Sequence, residues 1–195
     1  SVEIAECIAL LSGGGPDDLA HEIATIAARM IVLAGKAASE SEASALVTRA
    51  LSSGAAREKL KQMITWQGGD ASVVDDPGRL PQARLVHQLT ATKAGVVQSM
   101  DALLIGRTAV ALGAGRDKKS DAVDPSAGII LHKKPGEAVA VGEPLLDLHY
   151  NDASRLSAAL ALATQATVIG DRAPADAAQL IGWVHDTGEQ MFVAL

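Results

Sequence analysis

The residues of this chain that could do chemistry are a glycine-rich run, two adjacent lysines, five histidines, two glutamates near the start and one cysteine. Leu112 to Arg116 read LGAGR, which has the composition of a phosphate loop. Backbone amides bind anions at a helix N-terminus, where the N–H groups point outward. These glycines follow a helical pattern, so the dipole has the opposite sign and the run predicts a C-cap and tight turn. Arg116 then has Asp121 and Asp124 as candidate partners. The histidines are His21, His87, His132, His149 and His185, and none shows the spacing of two His four apart around a Glu. His132 and His149 can approach across paired strands, but no third ligand is evident. His185-Asp186 has the form of a base with its orienting partner, without a local Ser or Cys nucleophile. Glu3 and Glu6, three apart, share one face of a helix. By themselves they predict a solvated edge. Cys7 falls within an apolar pattern and predicts a buried structural thiol.

Lys133-Lys134 precedes Pro135-Gly136. A lysine that carries lipoate or biotin stands at a hairpin tip, usually beside Met. Here the pair ends a strand and no Met is adjacent, so a solvated strand end is expected.

Periodicity assigns the elements that must hold these residues. Residues 1–11 repeat as a helix with Val2, Ile4, Cys7, Ile8 and Leu11 on one face, stopped by Gly13 to Gly15. Pro16, Asp17 and Asp18 open a second helix, since proline suits the first turn and acids suit the positive end of the dipole. Its apolar stripe is Leu19, Ile23, Ile26, Met30 and Leu33, closed by Gly35. Ser39 with Glu42 predicts a capping box for a third helix through Ala43, Leu46, Val47, Ala50 and Leu51, with Gly54 as stop. A fourth runs from Ala55 to Trp66.

Residues 75–81, DDPGRLP, have linker composition and mark a domain boundary. Strands are predicted over 82–92, 96–100, 127–133, 138–141 and 144–150, with turns at Lys93-Ala94-Gly95, Pro135-Gly136 and Gly142-Glu143. Asp101 caps a helix to Leu112. Asn151 or Asp152 caps another to Ala166, striped by Leu156, Leu160 and Ala163. Beyond it, the pattern suggests a strand over 167–169, a helix over 175–184 and a strand over 190–195.

Composition excludes several function classes. Hydrophobic residues make up 48% of the 195 residues but aromatics only 2%, so the core is aliphatic and stacking platforms for single-stranded nucleic acid are not expected. A net charge of −6 argues against a nucleic-acid backbone partner. Charge interrupts the longest apolar segments, so no membrane span is expected. The single cysteine precludes an internal disulfide and fits a reducing compartment. The chain opens without Met, directly in an amphipathic pattern, which suggests a cut from a longer protein, by design rather than by proteolysis.

Three stretches together carry a family resemblance. They are SVEIAECIALLSGGGPDDL at the start, QGGDASVVDDPGRLPQA over 67–83, and LGAGRDKKSDAVDPSAGIILHKKPGEAVAVGEPLL over 112–146. In this order they resemble the C-terminal portion of bacterial pyrimidine-nucleoside and thymidine phosphorylases. The resemblance covers residues 1 to about 150 and fades in the tail. It implies an α+β (α/β) fold. Residues 1–74 would be a helical layer of the phosphorylase α/β domain, and residues 75–195 an α/β-hammerhead of barrel-sandwich type.

The parent enzyme so implied is a pentosyltransferase. It would cleave uridine or thymidine with phosphate to a free base and a pentose 1-phosphate. It would be a cytoplasmic homodimer of nucleoside salvage, with phosphate and a pyrimidine nucleoside as its partners. The family holds phosphate on a Gly/Ser-rich loop with a Lys, and the base on an Arg, Ser, Lys set. Neither arrangement occurs here, so no catalytic or substrate-binding residue is assigned and the chain alone is expected to be inactive. The one ligand that the resemblance assigns is Glu6, which aligns with an acid that helps bind a potassium ion. Its companion ligands are absent, so an empty site is expected, and no other cofactor is implied. Alternatives are a thymidine-specific sibling and a stand-alone binding or carrier-like module. The opening helix, without a covering lobe, would expose an apolar face and favour self-association.

Overall fold

The structure is a computed structural model that describes residues 1–116, 118–174, 183–184 and 190–191. The chain divides into two compact units: Ser1–Val2 with Leu80–Ala177, and Glu3–Arg79 with Ala178–Leu195.

Helices dominate the second of these units. They are α1 (Val2–Leu11), α2 (Asp17–Leu33), α3 (Glu40–Ser52) and α4 (Ala55–Trp66). Their ends form where local chemistry places them. Ser39 Oγ accepts from the Glu42 amide at 3.2 Å, and Glu42 Oε2 reaches back to the Ala38 amide at 2.9 Å, one residue before the reciprocal partner of a standard capping box. Gly54 stands between α3 and α4 at φ 76°, a conformation costly for any residue with a Cβ. Arg29 of α2 and Glu40 of α3 form an ion pair. Below α4, Asp75 accepts from Arg57 at 2.8 Å and from Lys61 at 2.7 Å, fixing the turn that follows a short 3-10 segment, Ala71–Val74. A further pair of two-residue strands, β7 (Trp183–Val184) and β8 (Gln190–Met191), lies in the tail.

The buried face of α2 differs from the expected stripe. Ile23, Met30 and Leu33 are exposed, the last at 80%, while Ala28 is buried with Ala24, Ala27, Ile31 and Val32 packed around Ala43 and Val47 of α3. The reason is distance. Small alanines at 28 and 43 let the two helix backbones approach, and the larger residues are turned outward. In α1, Ile8 and Leu10 are buried, whereas Ile4 and Cys7 are exposed. The buried thiol expected at Cys7 is therefore corrected: its side chain is exposed.

The first unit is mixed α+β. One antiparallel sheet has the order β1 (Leu85–Thr90), β5 (Pro144–Tyr150), β3 (Gly128–Leu131). A second has the order β4 (Ala138–Val139), β2 (Gly95–Met100), β6 (Thr167–Gly170). Among the described residues neither sheet closes into a barrel. Two helices complete the unit, α5 (Ala102–Leu112) and α6 (Leu156–Ala166).

The central strand β5 organises the core. Leu146, Leu148 and Tyr150 face one way and are buried with Leu112 of α5 and Ala159 and Ala163 of α6. Leu145 faces the other way and joins Ala91, Val97 and Val139 in a second cluster. The alanine stripe of α6 again permits close approach to the sheet. Consecutive strands β1 and β2 do not pair with each other. Instead, β1 pairs with β5, with Leu85 opposite Tyr150, and β2 pairs with β6, with Val96 opposite Gly170.

Observed strands are shorter than the predicted runs, as at β3 and β4, because the flanking residues turn the chain. The Gly136 amide donates to Val97 O at 2.8 Å, and the Gly142 amide to Ala91 O at 2.8 Å. The expected helix over 175–184 lies mostly outside the described residues, and its last two, Trp183–Val184, are a strand. Of the strand expected over 190–195, Gln190–Met191 are described, and they are extended.

Candidate functional site

Glu6, the one metal ligand assigned from sequence, stands on α1 with an exposed side chain. Among the described residues no group of three His, Cys, Asp or Glu side chains is placed to hold a metal ion. A single exposed carboxylate does not fit a hard cation, which takes six or more oxygen ligands. Glu6 and Glu3 are both solvent-facing, and no further His, Cys, Asp or Glu among the described residues joins them in such a group.

The glycine run closes α5 as a C-cap. Gly113 adopts φ 106° and donates to Val110 O at 3.0 Å, and Ala114 donates to Ala109 O at 2.9 Å. The amides of Gly113 and Ala114 are thus consumed by the helix end, as the C-cap reading expects. At the other end of α5, Asp101 Oδ1 accepts from the Leu104 amide at 3.0 Å.

Asp124, one of the partners considered for Arg116, is engaged elsewhere. It accepts from Ser126 Oγ at 2.7 Å and from Asn151 Nδ2 at 2.7 Å. The Ser126 hydroxyl first, and the Asn151 amide second, hold this carboxyl below its ordinary value against the opposing effect of burial. Nor is Asn151 a helix cap. Asp152 does that work, accepting from the Ser154 amide at 2.9 Å to start a 3-10 turn that runs into α6.

Lys133 is tied down. Its Nζ meets Glu143 Oε1 at 2.6 Å and Ala138 O at 3.1 Å, and this contact, with the Ala140 amide, lowers the Glu143 carboxyl. A lysine so held across a turn is not presented as a carrier lysine is. The solvated strand end expected here is thus a half-buried ion pair.

A polar cluster that sequence reasoning saw only in part lies on β5. Asp147 Oδ2 meets His132 Nε2 at 2.8 Å, and Oδ1 accepts from Gln88 Nε2 at 3.0 Å. Burial raises the Asp147 carboxyl, but the His132 and Gln88 contacts outweigh it and leave a net lowering. His149 lies two residues on, opposite Gly128 of β3, and its Nε2 is buried without a hydrogen-bond partner. His132 instead bonds through its amide to Leu145 O at 2.9 Å. The two histidines therefore flank Asp147 rather than face each other. The pairing of β1 and β3 on either side of β5 assembles this cluster, and no spacing in the sequence announced it. His185-Asp186 lies outside the described residues.

A cleft of about 580 Å³ lies in this unit, lined by the C-terminal half of α5, by Gly115, Arg116, Asp121 and Ala122, and by Arg155 in the turn before α6. Arg107, Arg116 and Arg155 line it together with Asp121.

These elements define an α+β protein. Among the described residues it has two three-stranded antiparallel sheets and the β7–β8 pair, an alanine-rich helix braced on one sheet, and polar groups committed largely to structural contacts. Residues 96–170 match the family model of the pyrimidine nucleoside phosphorylase C-terminal domain. The pyrimidine-nucleoside phosphorylase of Bacillus subtilis (strain 168) is 44% identical over 151 residues, covering 77% of this chain and 35% of that protein. That of Staphylococcus aureus (strain USA300) is 45% identical over the same length and shares. The chain is thus related to pyrimidine-nucleoside phosphorylases, and its matched domain is that family's C-terminal one. It spans about a third of the length of these relatives.

Proposed function

We propose that this chain is the C-terminal portion of a pyrimidine-nucleoside phosphorylase, and that it supports the reaction without carrying it out. The whole enzyme would be a pentosyltransferase cleaving uridine or thymidine with phosphate to give the base and a pentose 1-phosphate. The observation that carries this reading is 44% identity across 77% of the chain to a protein of that name. The division of labour follows from the side chains. Phosphorolysis needs an anion cradle together with donors aimed at the leaving base, and most of the polar groups described above are spent on caps, turns and strand contacts.

On this reading, residues 1–74 belong to the α/β domain that closes on substrate, and residues 75–195 form the hammerhead that rigidifies it. Glu6 would supply one oxygen to a potassium ion whose other ligands come from the rest of the enzyme. A cytoplasmic homodimer is the assembly that fits this role.

The test is phosphorolysis of uridine and thymidine, followed by release of free base. The isolated chain should give no turnover. Co-expression with the remaining part of a homologous phosphorylase, lacking this portion, should restore it. Robust cleavage by the isolated chain would overturn the supporting role. Failure of every complementation partner, with both pieces folded, would overturn the family function.

A further inference from the structure

We propose that the cleft beside the C-terminal end of α5 is a binding site for a small anion carrying a phosphoryl group. Three arginines, Arg107, Arg116 and Arg155, line it with one acid among the described residues, Asp121. This stands out in a chain of net charge −6. Its volume of about 580 Å³ is that of a site for a small ligand rather than for a single ion.

Nearby acids are engaged otherwise. Asp124 serves Ser126 and Asn151, and Asp121 accepts from the Lys118 amide at 2.8 Å; Asp152, by contrast, pairs with Arg155 of the cleft itself, 3.6 Å from its Nε, which leaves Arg107 and Arg116 as the unpaired charges among its described residues. Arg155 also approaches Ala111 O at 3.5 Å, which offsets the negative end of the α5 dipole at the cleft wall. Arg107 and Arg116 have no hydrogen-bond or ion-pair partner among the described residues and are open to a ligand. Several arginines lining one cleft suit a tetrahedral group with three acceptor oxygens better than a planar carboxylate, which a single fork satisfies. The amides of Gly113 and Ala114 are spent on the end of α5. The arginines around the helix end, not the loop backbone, make this site.

Calorimetric titration of the whole chain with inorganic pyrophosphate at low ionic strength tests the proposal. Saturable binding is expected, at least about tenfold weaker in Arg107→Ala and in Arg116→Ala, and unchanged in Lys93→Ala. Arg116→Lys keeps the charge and removes the fork, and should also weaken binding. It serves in place of the alanine variant should that one fail to fold by circular dichroism. Malonate should bind at least about tenfold more weakly than pyrophosphate. The proposal fails if pyrophosphate gives no saturable heat, if the arginine variants bind as the wild type does, or if malonate matches pyrophosphate.

Discussion

Asn151 and Asp124, 27 positions apart in the chain, meet at 2.7 Å, with Nδ2 of the amide donating to Oδ2 of the carboxylate. The same Nδ2 lies 2.8 Å from Ser126 Oγ, while Oδ1 accepts the Arg84 amide at 2.8 Å. One side-chain amide therefore joins the entry to β1, the exit of β5 and the loop ahead of β3. Replacing Asn151 by Ala removes these contacts at once and leaves Asp124 half-buried with fewer donors. A loss of about 1–3 kcal/mol in urea unfolding is expected. A change below about 0.5 kcal/mol would show that the clamp is incidental.

Asp124 also predicts a pH dependence. Its carboxyl titrates below the ordinary value of 3.8 in the folded chain. A group depressed on folding contributes stability that is present above its unfolded value and is lost as pH falls through its folded value. The unfolding midpoint should therefore drop below about pH 4, and the drop should be shallower in Asp124→Asn than in the wild type. Asp147 and Asp152 are depressed as well, so the difference between the two proteins is the quantity to read. Parallel curves would remove Asp124 from the account.

Gly95 opens β2 where another backbone passes close by. A Cβ built there would lie 2.5 Å from Gly170 O of β6. Gly95→Ala must push the two strands apart, and a cost of about 1–3 kcal/mol is expected from overpacking. Thermal melting followed by circular dichroism measures it, and an unchanged midpoint would refute the close approach.

Leu148 is fully buried between β5 and the two helices of its unit. Truncation to Ala should cost about 2–5 kcal/mol, since the surrounding aliphatic side chains cannot close the space. A Val141→Ala change, at a residue 69% exposed, should stay within about 0.5 kcal/mol. Equal effects at the two positions would contradict the assigned core.

Cys7 is exposed, so one thiol per chain should react with Ellman's reagent in the native protein at a rate close to that in denaturant. Reaction only after unfolding would restore the buried thiol that the apolar pattern suggests.

The features legible in the sequence were those decided within a few residues. Ser39, Gly54, Asp101 and Gly113 each set a helix end through contacts with their own neighbours. The Gly142-Glu143 turn marked the start of β5 for the same reason. The family relationship was legible too, because its motifs are contiguous runs.

The tertiary structure alone decided what depends on distant partners. A helical period does not say which of two apolar faces of α2 is covered. The close approach of Ala28 to α3 chose the alanine face and left Met30 and Leu33 outside. A period of two does not name a strand's neighbour, so the separation of β1 and β2 into different sheets was not readable. The Asp147 cluster and the three-arginine cleft arise only when residues from separate elements converge. Chain-local preferences act over a turn or a strand, whereas such convergence is set by which surfaces can be buried together.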